Sequence, residues 1–383
     1  MMHFFSKLRD RADHFVSTIY KDDRTKLKIS LNDILVLNLN NIELIRVVRR
    51  DFHISLPKKL LGKNKHGDIV KIEIVNIVKQ EECIKRPEKF LDQNKIDLRF
   101  FIPRNSISNR PIYIIDRSEN TFSVWYNIWG GVKPVTLKKN INLEELAEFS
   151  GFYFGDGSTS EGISSFRFTN SEPSVLNYCL SILEKIGINR DLFKIQIIYS
   201  TNKTITEEIH NRCILFWSST LNISRERIVS VLKAENIRET LPYGSARLFI
   251  DNIILVEIFL HGILKYILQK ISNPINNEDF ILLNGFIRGL LAAEGSPILN
   301  ENNSIVKIGL SFDPHSDELN LYKHLLDNLN ISYGKDKCNE LFIYGHDNMM
   351  KFYLLDAFKM HDSRNQKFLF GYKNHKFSKR IIF

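Results

Sequence analysis

The sequence predicts an α+β protein in which one fold occurs twice after a separate N-terminal region. From residue 141 onward the order of predicted elements repeats: a helix ending in an acidic residue and a glycine, then a strand, a helix and further strands. Charge marks the same start of the repeated part, since residues 1–140 have 27 basic and 16 acidic residues and residues 141–358 have 19 and 27; residues 359–383 have 7 and 1. From the charge change after residue 140 and the start of the second copy, we expect three parts, residues 1–140, 141–272 and 273–383.

Composition excludes several classes of protein. With 383 residues, 43% of them hydrophobic, the chain is long and apolar enough for two or three packed domains, so a disordered or collagen-like protein is excluded. The four cysteines are far apart and form no C-x-x-C pair, which argues against a zinc site or a disulfide framework and favours a reduced, cytoplasmic setting. The first residues have no apolar segment typical of a signal peptide, and the apolar stretch 253–268 is an amphipathic helix too short and too charged to span a bilayer.

The N-terminal region is predicted to be basic and of mixed structure. Residues 40–52 place Ile42, Ile45 and Val48 at helical spacing, so they are interpreted as a helix, and with 56–62 they form either a helix-turn-helix element or a solvated basic helix. Residues 68–79, 99–105 and 111–116 are predicted strands, and 132–140 is the predicted connection to the next part. The net charge of this region makes DNA binding by residues 1–140 an expectation.

The two copies are predicted element by element. In the first copy the predicted helices are 143–154 and 173–188, and the predicted strands are 164–171, 192–200 and 212–219. In the second copy the predicted helices are 279–293, 316–331 and 346–358, and the predicted strands are 305–312 and 339–345.

The first helix of each copy ends in the same pattern. Gly151 and Gly155 precede Asp156 and a glycine, and Gly289 and Ala293 precede Glu294 and a glycine. Small residues four apart lie on one helical face and allow two backbones to approach closely, so these helices are expected to pack on each other through Gly151, Gly155, Gly289 and Ala293. The final glycines, Gly157 and Gly295, are expected to end the helices in a left-handed conformation.

The two acidic residues lie at an unfavourable position. A carboxylate at a helix C-terminus meets the negative end of the helix dipole and the unpaired carbonyl oxygens. If the helices pack in parallel, Asp156 and Glu294 converge there. Such a cluster of oxygen atoms is suited to a hard divalent cation such as Mg²⁺.

The two motifs, LAEFSGFYFGDG and NGFIRGLLAAEG, resemble those of the LAGLIDADG homing endonucleases, specifically the single-chain members with two motifs and, among these, the archaeal ones. The resemblance covers residues 141–383. It implies two pseudo-symmetric αββαββα repeats, with sheets that lie in the DNA major groove. It further implies an intron-homing nuclease that hydrolyses both strands of a long pseudo-palindromic site, as a monomer with Mg²⁺, for which Mn²⁺ can substitute.

Several residues receive roles from this resemblance. Asp156 and Glu294 become the catalytic metal ligands, with the carbonyl oxygens of Gly155 and Ala293 as further ligands. An alternative on the same fold is a nucleic-acid-binding protein that does not cleave, such as an intron RNA maturase or a transcription regulator; the survival of both carboxylates favours the enzyme.

Polar residues on the strands after each motif are the predicted DNA contacts, although an ordinary half-solvated strand has the same pattern. These candidates are Arg167, Thr169, Lys194, Gln196, Lys307 and Ser311. The basic residue that such enzymes place near the metal stays open among Arg167, Lys307, Lys335 and Lys337. Residues 361–377 are interpreted as part of a basic tail that includes Arg364.

Overall fold

The computed structural model describes residues 2–87, 91–92, 94–106, 109–126, 134–158, 164–201, 205–234, 241–335 and 339–374. It is a mixed α+β structure with several sheets. Two compact units are present: the first combines residues 1–87 with 102–137, and the second combines 88–101 with 138–383. The short segment 88–101 therefore belongs to the unit that contains the two motifs.

The first segment of the first unit contains β1 (Met2–Asp10), β2 (His14–Thr18), α1 (Lys21–Leu27), β3 (Ile34–Leu39), β4 (Ile42–Val47), β5 (His53–Pro57), α2 (Lys58–Leu61), β6 (Ile69–Val78) and α3 (Gln80–Ile84). Its strands form a six-stranded antiparallel sheet in the order β4-β3-β6-β1-β2-β5. One hydrophobic cluster covers one face of this sheet, where Phe4 and Leu8 alternate with exposed neighbours along β1. A second cluster lies on the other face of β3 and includes Ile34 and Val36.

The helix predicted over residues 40–52 is wrong, and with it both the helix-turn-helix and the basic-helix interpretations. Residues 34–39 and 42–47 instead form a hairpin with Leu39 opposite Ile42. Asn40 and Asn41 have φ values of 53° and 62°, the left-handed conformation that a two-residue hairpin turn requires. The Asn-Asn pair indicates a hairpin turn, and this local preference outweighs the helical spacing of the isoleucines.

The next segment contributes strands to both units. These strands are β7 (Leu91–Asp92), β8 (Lys95–Asp97), β9 (Ile112–Asp116), β10 (Thr121–Tyr126) and β11 (Val135–Lys138). Strands were correctly predicted near 68–79 and 111–116, whereas the strand predicted at 99–105 begins instead with a 3₁₀ helix, Leu98–Phe101. The predicted connection at 132–140 contains β11, which pairs in the sheet order β11-β10-β9.

The second unit begins with a small sheet and the first motif helix. The elements are β12 (Asn140–Asn142), α4 (Leu143–Asp156), β13 (Phe166–Asn170), α5 (Pro173–Lys185), β14 (Lys194–Ser200), α6 (Glu207–Leu221), β15 (Ile228–Ala234) and β16 (Ser245–Ile250). Ile141 pairs with Ile96 in the small sheet, whose order is β12-β8-β7, and the larger sheet has the order β13-β16-β14-β15. A continuous helical stretch comes next, made of α7 (Ile253–Val256), a π-helical segment (Glu257–Leu264) and α8 (Lys265–Ile271).

The remainder of the second unit starts from the second motif helix. Its elements are α9 (Asn277–Glu294), β17 (Gly295–Leu299), β18 (Ile305–Ser311), α10 (Glu318–Asn328), β19 (Tyr333–Lys335), β20 (Glu340–Tyr344), α11 (His346–Leu354) and α12 (Asp362–Asn374). Its strands form a sheet in the order β17-β18-β20-β19.

Two further predictions in this unit are wrong. Residues 212–219, predicted as a strand, lie inside α6, because Cys213, Trp217 and Leu221 are buried at a spacing of four and Thr206 caps the helix by accepting a hydrogen bond from the Ile209 N–H. Residues 362–374 of the predicted basic tail form α12. The residues after 374 lie outside the described part of the chain.

Within the described ranges, no helix combines the length and the apolar character that crossing a membrane requires.

Candidate functional site

Both motif helices begin at an asparagine cap. The Asn142 side chain accepts hydrogen bonds from the backbone N–H groups of Glu144 and Glu145. Asn276 accepts from the Asp279 N–H, and the Asp279 carboxylate accepts from the Asn276 N–H in return. These caps fix where α4 and α9 start, and therefore which residues lie on the face that each presents to the other.

The helices α4 and α9 are in backbone-to-backbone contact at their glycines. A methyl group on Gly151 would lie 2.0 Å from the Phe286 carbonyl oxygen, and one on Gly289 would lie 1.9 Å from the Glu148 carbonyl oxygen. One turn further along, a methyl group on Gly155 would lie 2.7 Å from Cβ of Ala293. Only glycine allows this approach at the first two positions.

The direction of packing brings the two helix ends together. Residue numbers increase together along the contact in both helices, from Gly151 beside Phe286 to Gly155 beside Ala293, so the helices run in the same direction. At the end of this contact, Oε1 of Glu294 lies 3.2 Å from the position that a Gly155 methyl group would occupy. Glu294 therefore lies against the last turn of α4, next to Asp156.

A buried ion cluster joins the helices in their middle. The Glu148 carboxylate is fully buried; Arg288 Nε of α9 donates to it at 2.7 Å, Lys359 Nζ lies 2.6 Å from it, and the Tyr178 hydroxyl donates to it at 2.5 Å. Arg288 also contacts Glu144. A buried carboxylate is tolerated only with such partners, so this cluster fixes the register of the two helices.

The carboxylates at the helix ends are ionisable groups in an unfavourable place. Burial raises the pKa of Asp156 to about 6, although the Asn170 amide, which donates to its carboxylate at 2.5 Å, opposes the shift. Burial, together with the nearby negative charges of Asp156 and Glu318, raises the pKa of Glu294 to about 7. Burial thus disfavours the charged form of both groups, and the pKa of Glu294 also reflects the charge of Asp156.

The glycines after the carboxylates are needed for space and not for a left-handed conformation, so that prediction is wrong. Gly157 has φ −86° and Gly295 has φ −81°, both in the extended region. A methyl group on Gly157 would lie 2.2 Å from the Tyr153 carbonyl oxygen, and one on Gly295 would lie 2.7 Å from that of Leu291. At the end of each helix, the backbone can therefore change from helical to extended immediately after the acidic residue.

Arg364, interpreted from the sequence as part of a basic tail, lies at this site. Its Nη1 donates to the last carbonyl oxygens of α9, those of Leu291, Ala292 and Ala293, at 3.0, 2.8 and 3.1 Å. Its positive charge lowers the pKa of both Asp156 and Glu294, against the effect of burial. No spacing rule in the sequence connects residue 364 with the motifs, so the contact could be found only in the structure.

The donor atoms fit a hard divalent cation. Two carboxylates in a largely buried place repel each other, and a bound cation would relieve that repulsion. In the described ranges no three His, Cys, Asp or Glu side chains are grouped to hold a metal ion, so a cation between Asp156 and Glu294 would need carbonyl, water or substrate oxygens as well. The Gly155 carbonyl is a candidate; the Ala293 carbonyl already accepts from Arg364.

Four of the predicted DNA contacts lie on one face of the sheet β13-β16-β14-β15. Gln196, Arg247 and Thr169 are direct neighbours across three strands: Arg247 donates to Gln196 at 3.0 Å and to Thr169 at 3.4 Å, and Gln196 donates to Ser230 at 3.1 Å. Arg167 and Lys194 face Phe249 in the next row. We call this surface the polar face of the first sheet. Arg247 was missed, although the alternation in residues 245–250 would have placed it there.

The second sheet has a different surface. Lys307 Nζ lies 3.3 Å from the centre of the Phe342 ring, a cation–π contact, and Ser311 pairs with Glu340 at the strand end. On the first sheet, Lys194 forms an ion pair with Asp251, with its Nζ 2.9 Å from the carboxylate. Of the open candidates for a basic residue near the metal, the Lys335 side chain and Lys337 lie outside the described part of the structure.

Comparison with known proteins gives no match: no family model matches the chain, and no curated protein is similar to it at a significant level.

The glycine contact predicts a large loss of stability for Gly289→Ala. Its methyl group would overlap the Glu148 carbonyl oxygen at 1.9 Å, so the helices must separate, at a cost of about 3 kcal/mol or more. Gly334→Ala is the matched control, because its nearest new neighbour, the Tyr344 ring, lies at 3.6 Å. Urea unfolding followed by circular dichroism would contradict the prediction if both variants unfold at the same urea concentration.

The raised pKa values predict that the two carboxylates destabilise the fold at alkaline pH. Because both groups bind protons more tightly when folded than at their ordinary pKa values of 3.8 and 4.5, stability falls as pH rises from about 4 through about 7. Asp156→Asn and Glu294→Gln should each gain on the order of 2 kcal/mol at pH 8 and nothing at pH 4.

The control for this experiment is Glu301→Gln, which removes an exposed acid from the same unit. Thermal unfolding at pH 4 and pH 8 measures the difference. An equal gain at both pH values in Asp156→Asn would mean that the change acts through packing and not through charge.

Proposed function

We propose that this protein is a site-specific, metal-dependent endonuclease of the LAGLIDADG homing type, which hydrolyses both strands of double-stranded DNA. The observation that carries the proposal is the convergence of Asp156 and Glu294 at the ends of two parallel helices in backbone contact. Carboxylates placed there weaken the fold, so a function that needs them at this position accounts for their presence.

Reciprocal contacts between the helices support two pseudo-symmetric repeats. Gly151 approaches Phe286 and Leu290, while Gly289 approaches Glu148 and Phe152. Phe286 and Leu290 are 138 positions after Glu148 and Phe152, the same offset that separates Asp156 from Glu294. Each helix therefore offers the other equivalent positions, as a two-fold axis between them would require.

The sheets support the same relation. Gly157 bridges to Phe168 on β13, and Gly295 pairs with Leu310 on β18. From these strands the orders β13-β16-β14 and β18-β20-β19 correspond, each antiparallel throughout. The second copy then has the element order αββαββα in α9 to α11. In the first copy α6 and β15 are an addition, inserted between β14 and β16.

The proposed mechanism assigns each residue near the helix ends a task. A divalent cation would supply a Lewis acid that activates water and stabilises the charge on the leaving 3′ oxygen. Asp156 and Glu294 would hold that cation, and the Asn170 amide orients the Asp156 carboxylate through its hydrogen bond. The tight contact at Gly155 and Ala293 keeps the two carboxylates near each other, so that one site would serve the scissile phosphates of both strands.

DNA recognition is assigned to the polar face of the first sheet and to the basic N-terminal part. Arginine and glutamine side chains on a sheet can hydrogen-bond base edges in the major groove. Residues 1–140, with 27 basic and 16 acidic residues, would contribute phosphate contacts that do not depend on sequence. Residues 141–358 have a negative net charge, so this part alone would not attract DNA by net charge.

The cleavage prediction concerns the carboxylates. Asp156→Asn and Glu294→Gln should each lower double-strand cleavage about a thousandfold or more and leave DNA binding intact, because each removes a metal ligand and no contact to the bases. The substrate is linear DNA that carries the protein's own uninterrupted insertion locus, with Mg²⁺ or Mn²⁺. Glu301→Gln should cut like the original protein. Binding of this DNA without cleavage by the unaltered protein would favour the non-cleaving alternative, an RNA maturase or transcription regulator.

The recognition prediction concerns Arg247. Arg247→Gln should weaken DNA binding about tenfold and lower the slope of affinity against salt concentration by about one, because it removes one cation from the polar face. Lys265→Gln is the control: Lys265 is exposed on the helical stretch whose Phe259 stacks on Phe166, on the other face of the same sheet. Equal losses of affinity in both variants would place the DNA elsewhere.

A further inference from the structure

Arg364 is the one basic side chain that the described structure places at the end of α9. It lies in the first turn of α12, and its Nη1 donates to the carbonyl oxygens of Leu291, Ala292 and Ala293. These carbonyls form the negative end of the α9 dipole, directly before Glu294. A guanidinium in this position neutralises charge that a metal ion would otherwise meet.

The position of Arg364 is fixed from both ends of its helix. At the start of α12, the Ser363 hydroxyl donates to the Glu172 carboxylate at 2.8 Å, and the Asp362 N–H donates to the Ser174 hydroxyl at 3.0 Å. Further along, Gly371 packs so closely on Leu299 that a methyl group would lie 2.3 Å from it. The helix that carries the guanidinium is therefore held by contacts to both motif-containing halves of the unit.

The two helix ends consequently differ in what contacts two equivalent carbonyl oxygens, those of Ala293 and Gly155. At α9, Arg364 occupies the Ala293 carbonyl at 3.1 Å. At α4, the Tyr153 carbonyl accepts from the Gly157 N–H at 2.9 Å, and no described side chain donates to the Gly155 carbonyl. A cation that approaches the carboxylates meets an occupied carbonyl on one side and an available one on the other.

We propose that Arg364 is a permanent counter-cation of the Asp156 and Glu294 pair, which holds the Ala293 carbonyl and confines an added divalent cation to the oxygens of Asp156, Glu294 and Gly155. This inference rests on the metal site of the proposed function. Arg364 is here a positioning residue: it stabilises the carboxylate pair before metal arrives, and it repels the metal from one side.

A helix cap with no electrostatic role would behave differently. Removing a mere cap loosens α9 and its carboxylate, which weakens metal binding. Removing a counter-cation takes a positive charge away from the site and frees a carbonyl, which strengthens metal binding because like charges repel strongly in a partly buried place. The direction of the change in metal affinity therefore separates the two roles.

The experiment is calorimetric titration of the full-length protein with Mn²⁺ alone, without DNA, at low salt. Arg364→Gln should lower the Kd for Mn²⁺ about tenfold. Lys367→Gln, which removes an exposed positive charge from the same helix, should leave the Kd unchanged. Equal or weaker Mn²⁺ binding by folded Arg364→Gln, or the same gain in Lys367→Gln, would overturn the proposal.

A second variant decides the matter if Arg364→Gln does not fold. Arg364→Lys keeps the charge but loses the planar fork that reaches several carbonyls. The proposal expects lower thermal stability with a Kd within about threefold of the original, whereas a cap-only role expects a clearly weaker Mn²⁺ affinity. Tighter Mn²⁺ binding by Arg364→Gln in a protein that never cuts DNA would leave this inference standing and remove the proposed nuclease.

Discussion

The approach of two helix backbones at Gly151 and Gly289 is the constraint on which the rest of the second unit depends. Methyl groups at these positions would lie about 2 Å from carbonyl oxygens of the other helix, so no larger side chain fits. The approach brings the helix ends within contact of each other and leaves Glu294 against Gly155. The close packing that buries the helix interface therefore also brings the carboxylates of Asp156 and Glu294 near each other at the helix ends.

The acidic side chains along this interface differ in how completely neighbouring groups compensate their charge. In the middle, Glu148 is fully buried but has Arg288, Lys359 and Tyr178 as partners, so the charge is satisfied. At the end, burial raises the pKa of Asp156 and of Glu294, and the positive charge of Arg364 offsets this effect only in part. Two acidic sites along one interface thus differ: protein cations compensate the charge of Glu148, whereas the charges of Asp156 and Glu294 are compensated only in part.

The sequence was sufficient where a pattern is local and insufficient where a contact is distant. Periodicity located the motif helices and the strands at β6, β9 and β13, and the small-residue spacing identified Gly151 and Gly289. It failed at β4, where two asparagines in a turn outweigh helical spacing, and at α6, where a short apolar run fits strand and helix alike until its cap is considered. Arg364 lies 70 positions after Glu294, and nothing local marks it. Arg247 was missed as well, although the alternation of its strand would have identified it.

The hydrogen bond from Asn170 to Asp156 has a consequence for how such a site can change over time. Asn170 lies two residues after Phe168, which bridges to Gly157; two residues after Leu310, which pairs with Gly295, stands Phe312. In a dimer of identical subunits, one codon would set both positions, and an amide gained beside one acid would be gained beside the other. With both helices in a single chain, each acid can acquire its own neighbours through separate mutations. The pKa of each carboxyl group can therefore be changed independently of the other.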